Sequence, residues 1–334
     1  MPPKPPSLRT EPPLCVDLDG TLIASDTLAD SFCLMVRQNP LTALQAPFWL
    51  LRGWPRLKDE MVARTRLPVA NLPYRPEVVR HLRREREKWR EILLVTASAQ
   101  RIAEDVAAET QLFTGVIGSA HGEGLRGAQK AQRLVQCFGA GGFDYLGDCR
   151  ADLAVWARAR KALVVGSERL ARQARAVAEV ETVFAVPAAG ALTWLEALGV
   201  AGWPWLLLLL PAAFLFAAGA GSGPMAGLIA AVFCLGSAAF ALLEGLMAIG
   251  SDRAAPSRRS RPFAGGRLPV LPGVLLFGVL LLVSAGLAPL LPGAWGFAFG
   301  GYAALGLAIA FRPDLRPRLT SARPEEKISP LPTP

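Results

Sequence analysis

The fold is decided by one short stretch of sequence, Leu14-Cys15-Val16-Asp17-Leu18-Asp19-Gly20-Thr21. Its apolar start predicts a buried strand over 14–16, and the glycine that follows predicts a turn. Asp17 and Asp19 therefore lie where the strand ends, and the backbone there can aim both carboxylates at one point. Two carboxylates packed so closely are costly unless a cation or a shared proton lies between them. The pattern predicts a Mg²⁺ site in which one aspartate is nucleophile or ligand and the other handles a proton; the alternative is an ordinary strand-to-turn junction.

Short apolar strands alternate with single helices along the next part of the chain, from about residue 76 to residue 186. The predicted strands are 92–95, 115–118, 143–146, 162–165 and 182–186. The predicted helices are 76–90, 100–111, 128–138, 151–160 and 167–180. Because strands separated by single helices pair in parallel, this alternation predicts a doubly wound α/β sheet covered by helices on both faces. Such sheets bind ligands at the carboxyl ends of their strands.

The segment between the first strand and this alternating region, residues 22–75, predicts a small helical cap. Helices are predicted over 31–37 and 41–52, with breaks at Pro40, Pro47 and Pro55. An insertion at this point of the chain would lie over the carboxyl ends of the strands, where a lid over a bound ligand is expected.

Three further polar motifs lie at predicted strand ends or helix starts. Thr96 directly follows the strand 92–95 and supplies a hydroxyl. Lys130 lies in the first turn of a predicted helix, where free backbone N–H groups and the helix dipole already favour a phosphate. Asp148 and Asp152 follow the strand 143–146 across a loop-to-helix junction, so both carboxylates can point back at a metal.

Together these residues resemble, in order, the four motifs of the haloacid-dehalogenase superfamily of phosphotransferases: Asp17-Leu18-Asp19-Gly20-Thr21, Thr96, Lys130 and Gly147-Asp148-Cys149-Arg150-Ala151-Asp152. The resemblance covers residues 14–165 and implies a Mg²⁺-dependent phosphohydrolase. Asp17 would attack phosphorus and form an aspartyl-phosphate, while Asp19 would protonate the leaving oxygen and later activate water. Thr96 and Lys130 would hold the phosphoryl oxygens. The implied metal-site residues are Asp17, Asp19, Asp148 and Asp152.

Composition narrows the partners expected for the chain. Its 334 residues suffice for two domains, and its net charge is +9. The basic clusters at 80–90 and 253–267 carry no aromatic RNA motif or recognition helix, which argues against nucleic acid and favours phosphate esters and lipid headgroups. Five cysteines without a C-x-x-C pair favour a reducing compartment. The proline-rich residues 1–13 predict a disordered leader before a phosphotransferase domain at 14–190.

Four apolar stretches follow, at 203–220, 225–250, 269–290 and 293–311. Each reaches the roughly 18–20 residues that a helix needs to cross a bilayer, so four transmembrane helices are predicted in the region 200–312. Arginines concentrate in the link between the second and third stretches and in the tail 313–334. By the positive-inside rule, the catalytic domain, this arginine-rich loop and the C-terminus are expected to be cytoplasmic. The predicted location is a bacterial inner membrane.

The arginine-rich loop carries a second resemblance. Residues 252–266 resemble the loop after the second helix of UbiA-type prenyltransferases, some of which carry an N-terminal domain of haloacid-dehalogenase type. Two of the three aspartates with which that family holds Mg²⁺ against a prenyl diphosphate are missing, because the run here is Glu244, Gly245, Ala248 and Asp252. The family also normally continues beyond four helices. This half is therefore interpreted as a degenerate, truncated relative that anchors the enzyme.

Several alternatives stay open for the membrane half. Glu244 lies about 9 Å from the cytoplasmic end of its helix, where it is either an intramembrane site or a side chain that snorkels to the interface. The following loop residues either bind a lipid phosphate or only set topology: Asp252, Arg253, Arg258, Arg259 and Arg261. The leading hypothesis is a membrane-attached phosphohydrolase for a phosphorylated small molecule or a polyprenyl phosphate. The alternatives are a UbiA-like protein, weakly active or paired with a membrane partner subunit, and a scaffold with a vestigial site.

Cysteines introduced singly at Ser222 and Ser260 should be labelled from opposite sides of the membrane, because arginines surround Ser260 and no charge lies near Ser222. A membrane-impermeant maleimide added to intact cells should label Ser222→Cys, and should label Ser260→Cys only after permeabilisation. The unmodified chain, with its own five cysteines, measures the background. Equal labelling of both variants from outside would contradict four crossings.

Overall fold

The computed structural model describes residues 11–43, 45–119, 125–200, 223–291 and 293–311. The predicted membrane stretch 203–220, the tail 313–334 and the first ten residues of the predicted leader lie outside these ranges. The chain divides into two units, Met1–Leu195 with Gly265–Gly273, and Glu196–Ala264 with Val274–Pro334.

Six parallel strands form the sheet of the first unit, in the order β3-β2-β1-β4-β5-β6. They are β1 Leu14–Val16, β2 Ile92–Ala99, β3 Gly115–Ser119, β4 Asp144–Gly147, β5 Lys161–Gly166 and β6 Glu179–Ala185. The predicted parallel α/β sheet is therefore confirmed. β1 pairs with β2 on one side and with β4 on the other. The carboxyl ends of these three strands consequently lie side by side, with Asp17 after β1, Asp148 after β4 and Thr96 in the last half of β2.

The cap helices are α1 Thr27–Gln38, α2 Pro40–Ala43, α3 Ala46–Leu51 and α4 Trp54–Arg64. The helices around the sheet are α5 Pro76–Glu87, α6 Gln100–Thr110, α7 Ala128–Phe138, α8 Leu153–Trp156 and α9 Glu168–Arg175, and α10 Ala191–Ala197 follows β6. Leu14 and Val16 pack into a hydrophobic cluster on one face of the sheet, and Cys15 packs into a cluster on the other. β1 is a continuous apolar run because both faces of the sheet are covered.

Several elements differ from the predicted pattern. The helix predicted over 167–180 ends at Arg175, and β6 begins at Glu179 instead of residue 182. β2 continues past Val95 to Ala99, because β3 runs alongside it and Ala99 lies opposite Ser119. The predicted helix 151–160 is a 3₁₀ turn, Arg150–Asp152, followed by the short helix α8. The Asp152 carboxylate accepts hydrogen bonds from backbone N–H groups of the preceding loop, which folds the chain tightly at this point.

The prolines of the cap open helices where they were predicted to break them. Pro40 begins α2, and α3 and α4 each carry a proline in the first turn. A proline is tolerated there because the N–H that it lacks has no partner within a helix. The cap also has its own small core cluster, formed by Met35, Trp49, Leu57 and Met61.

Three apolar helices follow: α11 Gly223–Ala254, α12 Val270–Leu287 and α13 Gly293–Phe311. Two segments, Met225–Ala254 and Val270–Leu290, are long and apolar enough to cross a membrane. The apolar helix Trp295–Phe311 is shorter. Of the four predicted crossings, the described residues thus contain two that meet this criterion of length and composition.

A buried charge cluster lies at the amino-terminal end of the sheet. Asp144, which begins β4, is completely buried and pairs with the guanidinium groups of Arg90 and Arg160. Arg90 also lies 2.8 Å from the Glu85 carboxylate, and its Nε donates to the Pro12 carbonyl at 2.9 Å. The last residues of the predicted leader are therefore held against the sheet.

Arg90→Met should lower the free energy of unfolding by about 1–3 kcal/mol, because it removes one of the two cations from the buried Asp144 carboxylate and leaves Arg160 in place. The matched control is Arg83→Met, at an exposed position on α5, with an expected change below about 0.5 kcal/mol. Urea unfolding followed by tryptophan fluorescence measures both variants. Similar losses in the two would mean that the cluster contributes no specific stability.

Candidate functional site

Asp17 follows β1 directly and lies at the centre of the site. Its backbone N–H donates to the Leu146 carbonyl of β4 at 3.0 Å, so the pairing of β1 with β4 sets its position. Its Oδ1 accepts from the Leu18 N–H at 2.8 Å, and its Oδ2 lies 3.0 Å from Lys130 Nζ. Asp17 is 8% exposed and Lys130 is 3% exposed. The two charges therefore face each other almost entirely out of solvent.

A chain of hydrogen bonds continues from Lys130, which lies in the first turn of α7. Lys130 Nζ donates to the Tyr145 hydroxyl at 2.8 Å, and that hydroxyl donates to Asp152 Oδ1 at 3.0 Å. Asp152 Oδ2 accepts from the backbone N–H groups of Asp148 and Cys149, each at 3.1 Å. The lysine is thereby connected to the loop after β4.

The turn after β1 makes room for Asp148. Gly20 has φ +75°, in the left-handed region, and a Cβ at this position would lie 2.1 Å from Asp148 Oδ2. The Thr21 hydroxyl donates to Asp148 Oδ1 at 3.2 Å, and the Gly20 carbonyl accepts from Arg75 Nε at 3.0 Å. The glycine is required here both by its backbone conformation and by the neighbouring carboxylate.

Asp19 lies on the cap side of the same turn. Its Oδ1 accepts from the Thr27 N–H at 2.7 Å, and its Oδ2 accepts from the hydroxyls of Thr27 and Ser98. Because Thr27 begins α1, the Asp19 carboxylate joins the strand end to the first cap helix. Thr96 is completely buried, and its Oγ1 accepts from the Ser98 N–H at 3.0 Å.

Burial changes the acidity of these groups. Loss of solvent raises the pKa of Asp17 above its ordinary value, although Lys130 opposes the rise. Loss of solvent raises the pKa of Asp19 to about 7, and repulsion from Asp26 adds to this. Loss of solvent and then repulsion from Asp17 raise the pKa of Asp148 to about 8. A cation bound among these carboxylates would relieve their repulsion.

Each of the four predicted metal-site aspartates has at least one oxygen in contact with a protein group. Asp148, Cys149 and Asp152 form a group of possible ligands whose ligand atoms all lie within 4.8 Å of one another. Within it, however, both Asp152 oxygens accept protein hydrogen bonds, one of them from the Cys149 thiol at 3.2 Å. Both Asp19 oxygens likewise accept hydrogen bonds, one from a residue of α1 and one from a residue of β2. Both Asp17 oxygens also contact protein groups, one of them Lys130. Asp148 Oδ1 accepts a hydrogen bond as well. Carboxylate oxygens of this kind suit a hard cation such as Mg²⁺.

The arginine-rich loop has a buried carboxylate of its own. Asp252, near the end of α11, is 1% exposed and lies 3.1 Å from Arg261 Nη1 and 3.5 Å from Arg258 Nε. Arg253 Nε donates to a carbonyl of the same loop at 3.0 Å. Glu244 is partly buried on the same helix. Asp252 and its two arginines therefore fasten the loop to the helix end.

Four side chains that the sequence analysis did not single out also contribute to the site: Thr27, Lys58, Ser98 and Tyr145. Ser98 lies two residues beyond Thr96, so its hydroxyl was a readable signal. Lys58 of α4 donates to the Ala97 carbonyl at 3.1 Å, a contact between residues far apart in sequence. Tyr145 lies inside a strand that was predicted only as core.

The arrangement fits a haloacid-dehalogenase-like α/β fold: a parallel sheet whose central strand ends in a buried aspartate, with a lysine from α7 and a carboxylate after β4 beside it. No family model matches the chain. Among curated proteins, it is 33% identical over 314 residues to the uncharacterised protein y4nM of Sinorhizobium fredii. The match covers 90% of this chain and 59% of that protein, so the chain spans about three-fifths of the length of this relative.

Several solved structures are similar to about half of the chain. A protein of unknown function from Bordetella pertussis is 16% identical with a TM-score of 0.40, over 52% of this chain and 99% of that one. A HAD family hydrolase from Salmonella enterica is 15% identical with a TM-score of 0.37, and the match covers 51% of this chain and 68% of that one. A substrate-bound phosphoserine phosphatase is 10% identical with a TM-score of 0.37, and the match covers 53% of this chain and 94% of that one.

Gly20→Ala should destabilise the protein beyond the strain of its backbone, because the new Cβ would collide with Asp148 Oδ2. The matched control is Gly139→Ala: Gly139 has φ +79°, and a Cβ there would meet nothing within 4 Å. The control should lose about 1–2 kcal/mol of unfolding free energy, and Gly20→Ala at least about 1 kcal/mol more. Urea unfolding measures both, and equal losses would mean that Asp148 moves aside without cost.

Proposed function

We propose that the chain is a membrane-attached, Mg²⁺-dependent phosphohydrolase that acts through an aspartyl-phosphate on a small or lipid-linked phosphate ester. The observation that carries the proposal is the buried pair of Asp17 and Lys130, 3.0 Å apart at the carboxyl end of the central strand. A carboxylate in this place is held as a nucleophile beside a cation that can balance a transferring phosphoryl group.

In the proposed reaction, an oxygen of Asp17 attacks phosphorus and the bond from phosphorus to the ester oxygen breaks. Asp19 gives its proton to the departing oxygen, and then takes a proton from the water that hydrolyses the aspartyl-phosphate. The raised pKa of Asp19, about 7, suits both roles near neutral pH. Water releases inorganic phosphate and restores the Asp17 carboxylate.

Thr96 and Lys130 would bind the phosphoryl oxygens. Thr96 Oγ1 accepts the Ser98 N–H, so its hydroxyl hydrogen can donate to a phosphoryl oxygen. Loss of solvent would lower the pKa of Lys130, but Asp17 and Asp152 outweigh it and raise that pKa, so the ammonium keeps its charge. Lys130 would therefore attract the phosphoryl group throughout the reaction.

Asp17 and Asp148 would hold the Mg²⁺ ion, and Asp152 would brace the loop that carries Asp148. When bound, the ion supplies positive charge that offsets the carboxylates and the phosphoryl oxygens. The pKa of Asp148, raised to about 8 by lost solvation and by Asp17, supports a place for a cation between the two side chains.

The membrane half would hold the enzyme at a bilayer, in a bacterial inner membrane with the arginine-rich loop cytoplasmic. The support is the length and apolar composition of the two segments Met225–Ala254 and Val270–Leu290. A polyprenyl phosphate is one substrate that such an anchor would favour, since it concentrates the enzyme where lipid-linked esters lie. Arg258 and Arg261, both partly exposed, are the loop cations that could also meet a lipid phosphate.

Asp17→Asn should abolish Mg²⁺-dependent phosphate release, because it removes the nucleophile and keeps the shape. The thermal transition should stay close to that of the wild type, because the lost ion pair with Lys130 is offset by the removal of a buried charge that repels Asp148 and Asp152. The matched control is Asp105→Asn, at an exposed position on α6, which should keep wild-type activity. The assay follows phosphate release by the detergent-solubilised chain from sugar, nucleotide and polyprenyl phosphates, with and without Mg²⁺.

Activity of Asp17→Asn within tenfold of the wild type would remove Asp17 as the nucleophile. Consumption of prenyl diphosphate by this variant in the presence of Mg²⁺ would instead favour the UbiA-like alternative, with Glu244 and Asp252 as the side chains to test next.

A further inference from the structure

The hydroxyl of Tyr145 is the link between the lysine of the site and the loop after β4. It accepts from Lys130 Nζ at 2.8 Å and donates to Asp152 Oδ1 at 3.0 Å. Tyr145 is completely buried, Asp152 is 1% exposed and Lys130 is 3% exposed. All three polar groups therefore depend on one another for hydrogen bonds that water would otherwise supply.

The direction of these hydrogen bonds follows from the chemistry of the three groups. A lysine ammonium has three N–H donors and no acceptor, and an ionised carboxylate only accepts. A phenol does both, so the Tyr145 oxygen accepts from Lys130 while its O–H points at Asp152. Phenylalanine would fill the same volume, but it would leave Asp152 Oδ1 without this donor and one Lys130 N–H without this acceptor.

The link is anchored at both ends. At one end, Lys130 Nζ lies 3.0 Å from Asp17 Oδ2. At the other, Asp152 Oδ2 accepts the backbone N–H groups of Asp148 and Cys149. The lysine ammonium is thus held by Asp17 and Tyr145, and its third N–H is the one that can meet a phosphoryl oxygen.

We propose that Tyr145 is a positioning residue, whose hydroxyl holds the Lys130 ammonium between Asp17 and Asp152 so that one N–H is presented to the phosphoryl group. The inference rests on the proposed phosphohydrolase function, and it adds a residue that acts through Lys130 and does not touch the substrate. A residue that only fills the core would act independently of Lys130.

The test is a double-mutant cycle on the full, detergent-solubilised chain, read out by calorimetric titration with inorganic phosphate in the presence of Mg²⁺. Tyr145→Phe should weaken phosphate binding by about tenfold or more, the effect expected when a hydrogen bond to a charged group is lost. In a chain that already carries Lys130→Met, the same substitution should change the affinity by less than about twofold, because the partner is gone. Tyr74→Phe is the matched control: it removes a hydroxyl that donates to the Val69 carbonyl at 2.9 Å, and it should leave phosphate affinity unchanged.

Two results would overturn the proposal. One is a Tyr145→Phe variant that binds phosphate as the wild type does. The other is an equal weakening with and without Lys130→Met, which would indicate a packing role. Lys130→Met could abolish measurable phosphate binding, and the two single tyrosine variants are then compared. Weaker phosphate binding in Tyr145→Phe but not in Tyr74→Phe supports the proposal. Equally weakened binding in both variants overturns it.

The cycle also separates this inference from the proposed function. If the wild-type chain binds phosphate but hydrolyses no ester, the proposed phosphohydrolase activity is wrong, and the double-mutant cycle on phosphate binding can still be measured. A wild-type chain that binds no phosphate would overturn the positioning role as well.

Discussion

The attraction between the buried Asp17 carboxylate and the Lys130 ammonium is the interaction on which the rest of the site depends. A carboxylate this far from solvent is costly, and a nearby cation is what allows it to stay ionised. The two residues come from different elements, the end of β1 and the first turn of α7, so the pair also fixes how that helix meets the sheet. Lys130 is itself held by Tyr145, and through Tyr145 by Asp152. One ion pair therefore connects β1, α7 and the loop after β4.

The position of β1 in the sheet explains why these groups converge. Because β2 and β4 flank β1 on opposite sides, Thr96 and Asp148 reach the same edge as Asp17 although they are distant in sequence. Two glycines keep that edge open: a Cβ at Gly20 would collide with Asp148, and one at Gly147 would lie 2.7 Å from Asp152 Oδ2. The absence of a side chain at these points is as necessary to the site as the carboxylates are.

The second unit uses its charges differently. Asp252 is as buried as Asp152, yet its partners are arginines of the loop that follows it, and Arg253 donates to a loop carbonyl. These contacts give Asp252 a structural role in holding the loop. The Asp252 carboxylate is less available to bind a metal ion, because a buried carboxylate that already has cationic partners gains little stabilisation from another cation.

The sequence by itself determined the parallel sheet, since apolar strands that alternate with single helices have few other ways to cover both faces. It placed Asp17, Lys130 and Asp148 at strand ends or a helix start, whereas Thr96, predicted to follow β2, lies within that strand. It also predicted the short strand β1 and the helix α7 at their observed bounds, because their apolar periods are clear. Only the tertiary structure decided which hydrogen bonds the carboxylate oxygens of the site accept. It turned Asp19 towards Thr27 and Ser98, engaged both oxygens of Asp152, brought Lys58 to the Ala97 carbonyl and made Tyr145 part of the site. These outcomes depend on hydrogen bonds between residues distant in sequence, and no local pattern reports which donor a buried acceptor will find once the chain has folded.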